Sequence, residues 1–353
     1  NCTPGEFHFR LNSSNIGEDP VSQLDLLLTG GRLAASAPLV QGAYEQAEDT
    51  RKLQVAQQAI LMTPEFNTMG ATLPEGQREI PPETPPKTPS EYKAFVLIFM
   101  HGGADSFNMI VPMGCPLWGE YQTVRSGVAL LESELLSFAS NGQSCESFGL
   151  HRALPFVKQL YDGGEAAFVS NVGSLAEPTS AAEHRRGNTT KCKNLFSHWD
   201  QVVAAGTLQC QETNQNKGGA GGRIADALSA RSLRASSFSM SGVETWPQGL
   251  KTDLKVVHAS KGVPRLARHD QLKGVIDGIA RTRHRNIYCD EYVKQFTAAI
   301  ESSEHFGSIL DNSTLLTSYV AGSNLGSALQ QVARVMSTRH ERKAERDIFF
   351  VQT

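Results

Sequence analysis

Residues 94–112 read AFVLIFMHGGADSFNMIVP, and this stretch decides the fold class. Six apolar residues, Phe95 to Met100, run without a polar break, and Gly102-Gly103 and one acid, Asp105, follow them. A run of that length bounded by glycines predicts a strand buried on both faces, as in a parallel sheet covered by helices. It is too short to cross a bilayer. Ligands of open α/β sheets sit outside the carboxyl ends of the strands. An acid just past such an end, on a turn that glycine lets approach closely, is placed to hold a metal or a polar substrate. The same acid can equally cap the next helix or close a turn.

Working outward, strand and helix signals alternate. A helix is expected over 153–161, stopped by Gly163-Gly164, then a short strand over 166–171. A polar stretch leads to a helix starting near Ser197. The run Gly218-Gly219-Ala220-Gly221-Gly222 opens another, through Arg223 to Ala230. Strands are expected at 236–240 and 254–258, helices within 271–342, and a last strand at 347–353 (DIFFVQT). Alternation at this spacing implies a parallel sheet with helices on both faces. The Gly-rich run lacks Gly-Lys-Ser or Gly-Lys-Thr and follows polar coil, so it is no P-loop. It reads as a flexible loop, with helix N-terminal amides for an anion as the alternative.

Towards the N-terminus, six of the 16 prolines fall between Pro74 and Pro89, with few large apolar residues. Such a segment favours extended conformations and reads as a linker. Before it, helices are expected at 21–28, 36–46 and 51–62, stopped by Gly30-Gly31 and by Thr63-Pro64. Three short helices would expose an apolar face by themselves, so they look like the end of a larger helical domain in cis. The division expected is therefore 1–70 helical, 71–92 linker and 93–353 α/β.

At 353 residues, with 40% hydrophobic and 20% charged residues, the composition is that of a globular chain with a substantial core. A net charge of -3 gives no reason to expect nucleic acid, and no membrane-spanning run is present. The basic clusters His184-Arg185-Arg186 and 281–285 read as solvated faces. Cys115, Cys145, Cys192 and Cys210 lie in polar, loop-like sequence without a CxxC pair. With four Asn-X-Ser/Thr acceptors, at Asn1, Asn12, Asn188 and Asn312, they tilt towards an oxidising, extracytoplasmic setting. A Cys192–Cys210 bridge is one pairing this allows. The chain opens at Asn1-Cys2-Thr3, which reads as a fragment whose export signal lies elsewhere.

Three polar features follow, or lie near, predicted strand ends: Asp105, the segment 173–180, and Ser197-His198 with Asp200 close by. Metal-assisted hydrolysis needs carboxylates and imidazoles around a cation and a hydroxyl or water to attack. Asp105, His198 and Ser197 supply those types. The plain alternative for Ser197 is a helix N-cap, with Asp200 at N3.

Residues 93–353 resemble the N-terminal two-thirds of the bacterial domain-of-unknown-function family 1501, grouped with the alkaline phosphatase and sulfatase superfamily. The resemblance rests on 95–112, FGLHRALPFVKQLYDGGEAAFVSNVGS (148–174), FSHWDQVVAAG (196–206), GGRIADAL (221–228) and DIFFVQT. LLLTGGRL (26–33) and ILMTPEF (60–66) are similar to the end of domain-of-unknown-function family 1800. The resemblance implies a three-layer α/β/α sandwich of alkaline phosphatase type, incomplete at its C-terminus. It puts Asp105 at the first metal-binding acid and Ser197-His198 on a Ser-His-Phe motif, here with Trp199 in place of Phe. His151 matches a recurring Phe-Gly-Leu-His. A segment over 176–195 looks inserted, and the later Asp-Thr-His and Asp-His-Gly motifs lie beyond Thr353.

Two functions stay open. The first is part of an exported, periplasmic or secreted, metal-dependent hydrolase of phosphate or sulfate esters, on a small-molecule or carbohydrate substrate. Asp105 and His198 would be ligands of a divalent metal, Ser197 the nucleophile and His198 a ligand or general acid/base, with no turnover expected of these 353 residues alone. The second is a non-catalytic extracytoplasmic surface or assembly module that keeps the hydrolase fold.

Overall fold

The computed structural model describes residues 19–78, 91–102, 104–170, 172–194, 197–210 and 218–353. Helices α1 (Pro20–Thr29), α2 (Ala37–Gln46), α3 (Lys52–Met62) and α4 (Pro64–Asn67) come first, then strands β1 (Pro74–Gln77) and β2 (Lys93–Phe99). Next are β3 (Ile110–Met113), α5 (Pro116–Arg125), β4 (Leu135–Ala139), β5 (Ser147–His151) and α6 (Pro155–Asp162). They lead to α7 (Ala181–Arg186), α8 (His198–Thr207), α9 (Ala220–Ser229), β6 (Ala235–Ser239) and β7 (Leu254–Val256). The chain continues through α10 (His269–Arg281), β8 (Thr282–His284), α11 (Ile287–Asp311), α12 (Asn324–Ser337) and β9 (Arg346–Gln352). This is a mixed α/β protein with a parallel sheet and packed helices.

The chain divides into two units. One holds residues up to Tyr92, Val256–Val320 and Gln330–Glu345; the other holds Lys93–Lys255, Ala321–Leu329 and Arg346–Thr353. This division differs from the linear one expected from sequence. The apolar face of the N-terminal helices is met by later helices of the same chain: Leu24, Val55 and Ile60 share one core with Leu272, Ile279 and Val293. Burying each such side chain contributes roughly 1.5–3 kcal/mol. Periodicity locates an apolar face but not its distant partner.

The MTPEF stretch has a local structural role here. The Thr63 hydroxyl accepts the Phe66 N–H and caps α4, Pro64 fills its first turn, and the buried Glu65 carboxylate accepts the Ser36 hydroxyl at 2.8 Å. The start of the expected linker is a strand. β1 pairs antiparallel with β8, and Pro74 opens it, where a missing N–H is tolerated. Ion pairs Arg78–Asp290 (2.7 Å) and Arg285–Glu75 (3.2 Å) fasten the pair. Residues 79–90 of that linker lie outside the described residues, as do the first 18. His284 is buried with its Nδ1 on the Thr72 carbonyl, so the cluster at 281–285 is not wholly a solvated face. His184, Arg185 and Arg186 are exposed on the last turn of α7, as expected.

In the other unit, four strands run in the order β2-β9-β6-β7. β9 lies parallel to β2, with Phe95 opposite Ile348, and parallel to β6, with Phe238 opposite Phe349. It is paired on both sides, and Asp347 to Val351 are all buried, as a near-continuous apolar run requires. The opening stretch does form a parallel strand, but not one buried on both faces. β2 is at the sheet edge, leaving Phe95 51% and Ile98 44% exposed. The strand expected over 166–171 is absent among its described residues. They run without a ladder partner, and Phe168 packs instead against Tyr161 and Phe138.

A separate antiparallel sheet, β3-β5-β4, is formed by residues between 110 and 151, where no strand is expected from the sequence. Its strands are four or five residues long, and Pro112 interrupts the pattern. The Cys115–Cys145 disulfide ties the residues just after β3 to those just before β5. Cys192–Cys210 is also formed, and Cys289 is the free cysteine among the described residues. No helix among those residues is long and apolar enough to cross a membrane.

Candidate functional site

Because β2, β9 and β6 are parallel, their carboxyl ends share one sheet edge. β9 is last in the chain yet lies between the other two, so the segments after β2 and β6 leave the sheet on either side of it. That arrangement makes a crevice of the kind in which open α/β sheets bind ligands. His101 follows β2, Gln352 ends β9, and Glu244 follows β6.

The segment 244–249 is pinned from below by the glycine-rich run. Gly222 N–H donates to the Trp246 carbonyl at 3.1 Å and Gly219 N–H to that of Gln248 at 2.8 Å. A Cβ on Gly222 would lie 1.9 Å from the Gln248 carbonyl oxygen, and one on Gly221 2.3 Å from the Trp246 indole. The glycines are there for close packing. Two of the amides that an anion would need, those of Gly219 and Gly222, are already used, and residues 218–222 form an ordered helix start rather than a flexible loop. Asp226, on α9, accepts the N–H groups of Leu250, Lys251 and Thr252 at 2.7, 3.1 and 2.7 Å. Burial works against its charge, but these donors hold the carboxyl below its ordinary value.

Trp246, thus fixed, walls an apolar cleft of about 30 Å³ with Phe99 and Phe350, closed on another side by Val202 and Ala205 of α8. Thr245, Gln352 and Glu244 are its polar lining. Burial pushes the Glu244 carboxyl above its ordinary value, while the charge of His101 pulls it the other way. None of these residues stands out in sequence except by position. His101 lies inside the opening stretch, two residues beyond the strand end, and that position was the available signal.

The residues singled out by sequence have structural partners. The Asp105 carboxylate is ion-paired with Arg125 of α5, whose guanidinium also lies 5.7 Å from the Phe107 ring centre. Ser197 is the N-cap of α8, its Oγ accepting the Asp200 N–H at 3.3 Å. His198 is exposed on the first turn, one turn or about 6 Å from Val202 on the same helix face. His151 accepts the Ala153 N–H at 3.1 Å and holds a turn. No hydrogen bond or ion pair among the described residues joins Asp105 to Ser197 or His198.

The fit to a divalent metal is poor. A guanidinium on the Asp105 carboxylate opposes a second cation there, and no three His, Cys, Asp or Glu side chains among the described residues are grouped to hold one. Comparison with protein-family models, curated proteins and solved structures finds no match.

Proposed function

We propose that this chain belongs to an extracytoplasmic protein in which an α/β/α sandwich of alkaline phosphatase type acts as a non-catalytic surface or assembly module. The family placement rests on the resemblance of residues 95–112, 148–174 and 196–206 to domain-of-unknown-function family 1501. The two disulfides, in loops of 30 and 18 residues, support an oxidising compartment. One observation carries the non-catalytic reading: two of the three groups expected to do chemistry, Asp105 and Ser197, are engaged in holding the fold. Asp105 neutralises Arg125, and the Ser197 hydroxyl accepts a helix N-terminal amide. The test is equilibrium dialysis against Zn²⁺, Mg²⁺, Mn²⁺ and Ca²⁺ with metal analysis of the retained protein. No stoichiometric metal is expected. A bound equivalent lost in both Asp105→Asn and His198→Ala would overturn the reading.

Hydrolysis of a phosphate or sulfate ester is the second reading. It is favoured by the exposed His198 beside Ser197 at the start of α8, on the helix face that lines the cleft further along. A capping hydroxyl accepts one hydrogen bond and still has its own proton to give to a base.

A further inference from the structure

We propose that residues 69–73 and 281–288 dock on an anionic phospholipid bilayer. Met69, Leu73, Ile287 and Tyr288 enter its interfacial layer, and Arg281, Arg283 and Arg285 meet the headgroups. This surface uses neither Asp105 nor Ser197 and is independent of whether the chain catalyses a reaction.

Backbone and side-chain bonds assemble the surface. The Arg285 N–H donates to the Leu73 carbonyl at 2.9 Å, one step beyond the Pro74–His284 pair of the β1–β8 ladder. Alternation along β8 turns Arg283 away from the interior that holds His284. Asn286 then ties the two segments together. Its Nδ2 donates to the Ala71 carbonyl at 2.9 Å, and its Oδ1 accepts the Tyr288 N–H at 3.0 Å. The apolar side chains gathered in this way stand in solvent: Met69 is 88% exposed, Ile287 and Tyr288 72% each, and Leu73 51%. Single exposed apolar residues need no partner, but four around one asparagine mark an interaction surface.

Charge sets the sign of the bilayer. Segments 73–78 and 281–294 carry five Lys or Arg and three Asp or Glu, in a chain whose net charge is -3. Glu75 is paired with Arg285, and Asp290 with Arg78 and Lys294. The Arg281 and Arg283 side chains are exposed and make no hydrogen bond or ion pair among the described residues. Each basic side chain beside an anionic membrane strengthens binding roughly fivefold. A soluble polyanion would engage the arginines and leave the apolar side chains in water, whereas a bilayer interface takes both. Tyrosine is favoured at that depth, and arginine reaches the headgroups while its methylenes stay in the apolar layer. A second copy, docked by two-fold symmetry, would bring like charges together.

The experiment is flotation of the full 353-residue chain with vesicles of phosphatidylcholine, alone or in equal parts with phosphatidylglycerol. Binding to the mixed vesicles is expected to be at least tenfold tighter than to phosphatidylcholine. Arg281→Gln/Arg283→Gln and, separately, Ile287→Ser/Tyr288→Ser should each lose at least tenfold while keeping the wild-type unfolding midpoint. If one pair folds poorly, the other carries the test. Failure of the wild type to float with the mixed vesicles, or equal flotation with phosphatidylcholine, would overturn the assignment. Loss in the arginine pair alone would overturn it in favour of a soluble polyanion. A wild-type dimer in sedimentation that Ile287→Ser/Tyr288→Ser dissociates would overturn it in favour of a second copy.

Discussion

The Ser197 Oγ accepts the backbone N–H of Asp200 at 3.3 Å, so the hydroxyl expected to act as a nucleophile closes the first turn of α8. Removing it is expected to cost about 1 kcal/mol. Ser197→Ala should therefore lower the thermal midpoint, and Ser197→Asp, which keeps an acceptor, should restore most of it. Equal midpoints for wild type and Ser197→Ala would show that the cap contributes nothing.

Gly222 is in contact with the backbone of Gln248 through a position where any Cβ collides. Overpacking against backbone cannot be relieved by a side-chain rotation, and a loss of about 3 kcal/mol or more is expected for Gly222→Ala. Denaturant unfolding measures it. A wild-type midpoint would contradict the close approach of α9 to 245–249.

Asp290 carries the clearest acid sensitivity. Burial opposes its charge, but Lys294, the His284 N–H and Arg78 together lower its pKa to about 2 from an ordinary 3.8. A folded value below the unfolded one adds stability that is present above about pH 4. That stability is lost as pH falls through the folded value near 2. Asp290→Asn should remove on the order of 2 kcal/mol at neutral pH and flatten the stability profile between pH 4 and 2. An unaltered profile in the variant would place the acid sensitivity elsewhere.

Much of the fold is legible in the sequence where the signal is local. Gly30, Gly163 and Ser197 end or start their helices as capping chemistry requires, and the apolar runs at 94–100 and 347–353 are neighbouring parallel strands. What fails depends on distant partners. Phe95 to Met100 has the composition of an interior strand, yet strand position in a sheet is decided by pairing, and β2 is at its edge. The short strands β3, β4 and β5 carry too few residues for a period to show. The glycines at 218–222 read as freedom because their packing partner, Trp246, lies 24 residues on. Asp105 is recognisable as a polar group past a strand end and Ser197 as an N-cap with Asp200 at N3, but the ion pair of Asp105 with Arg125, 20 residues on, is not.

The Cys192–Cys210 bridge closes a loop of 18 residues and is expected to add roughly 3 kcal/mol. In the unfolded, unreduced chain, Cys115, Cys145, Cys192 and Cys210 should resist alkylation while Cys289 reacts, as mass spectrometry of peptides would show. Alkylation of Cys192 or Cys210 without reductant would contradict the pairing.

Thermal unfolding with and without added metal is the most direct test of the central claim that Asp105 and Ser197 serve the fold rather than chemistry. Asp105→Ala and Ser197→Ala would be melted beside the wild-type chain, alone and with Zn²⁺, Mg²⁺, Mn²⁺ or Ca²⁺. The expected result is a lower midpoint for each variant and no shift of the wild-type midpoint by any metal. Unaltered midpoints in both variants, or a metal-dependent rise of the wild-type midpoint that disappears in Asp105→Ala, would contradict it.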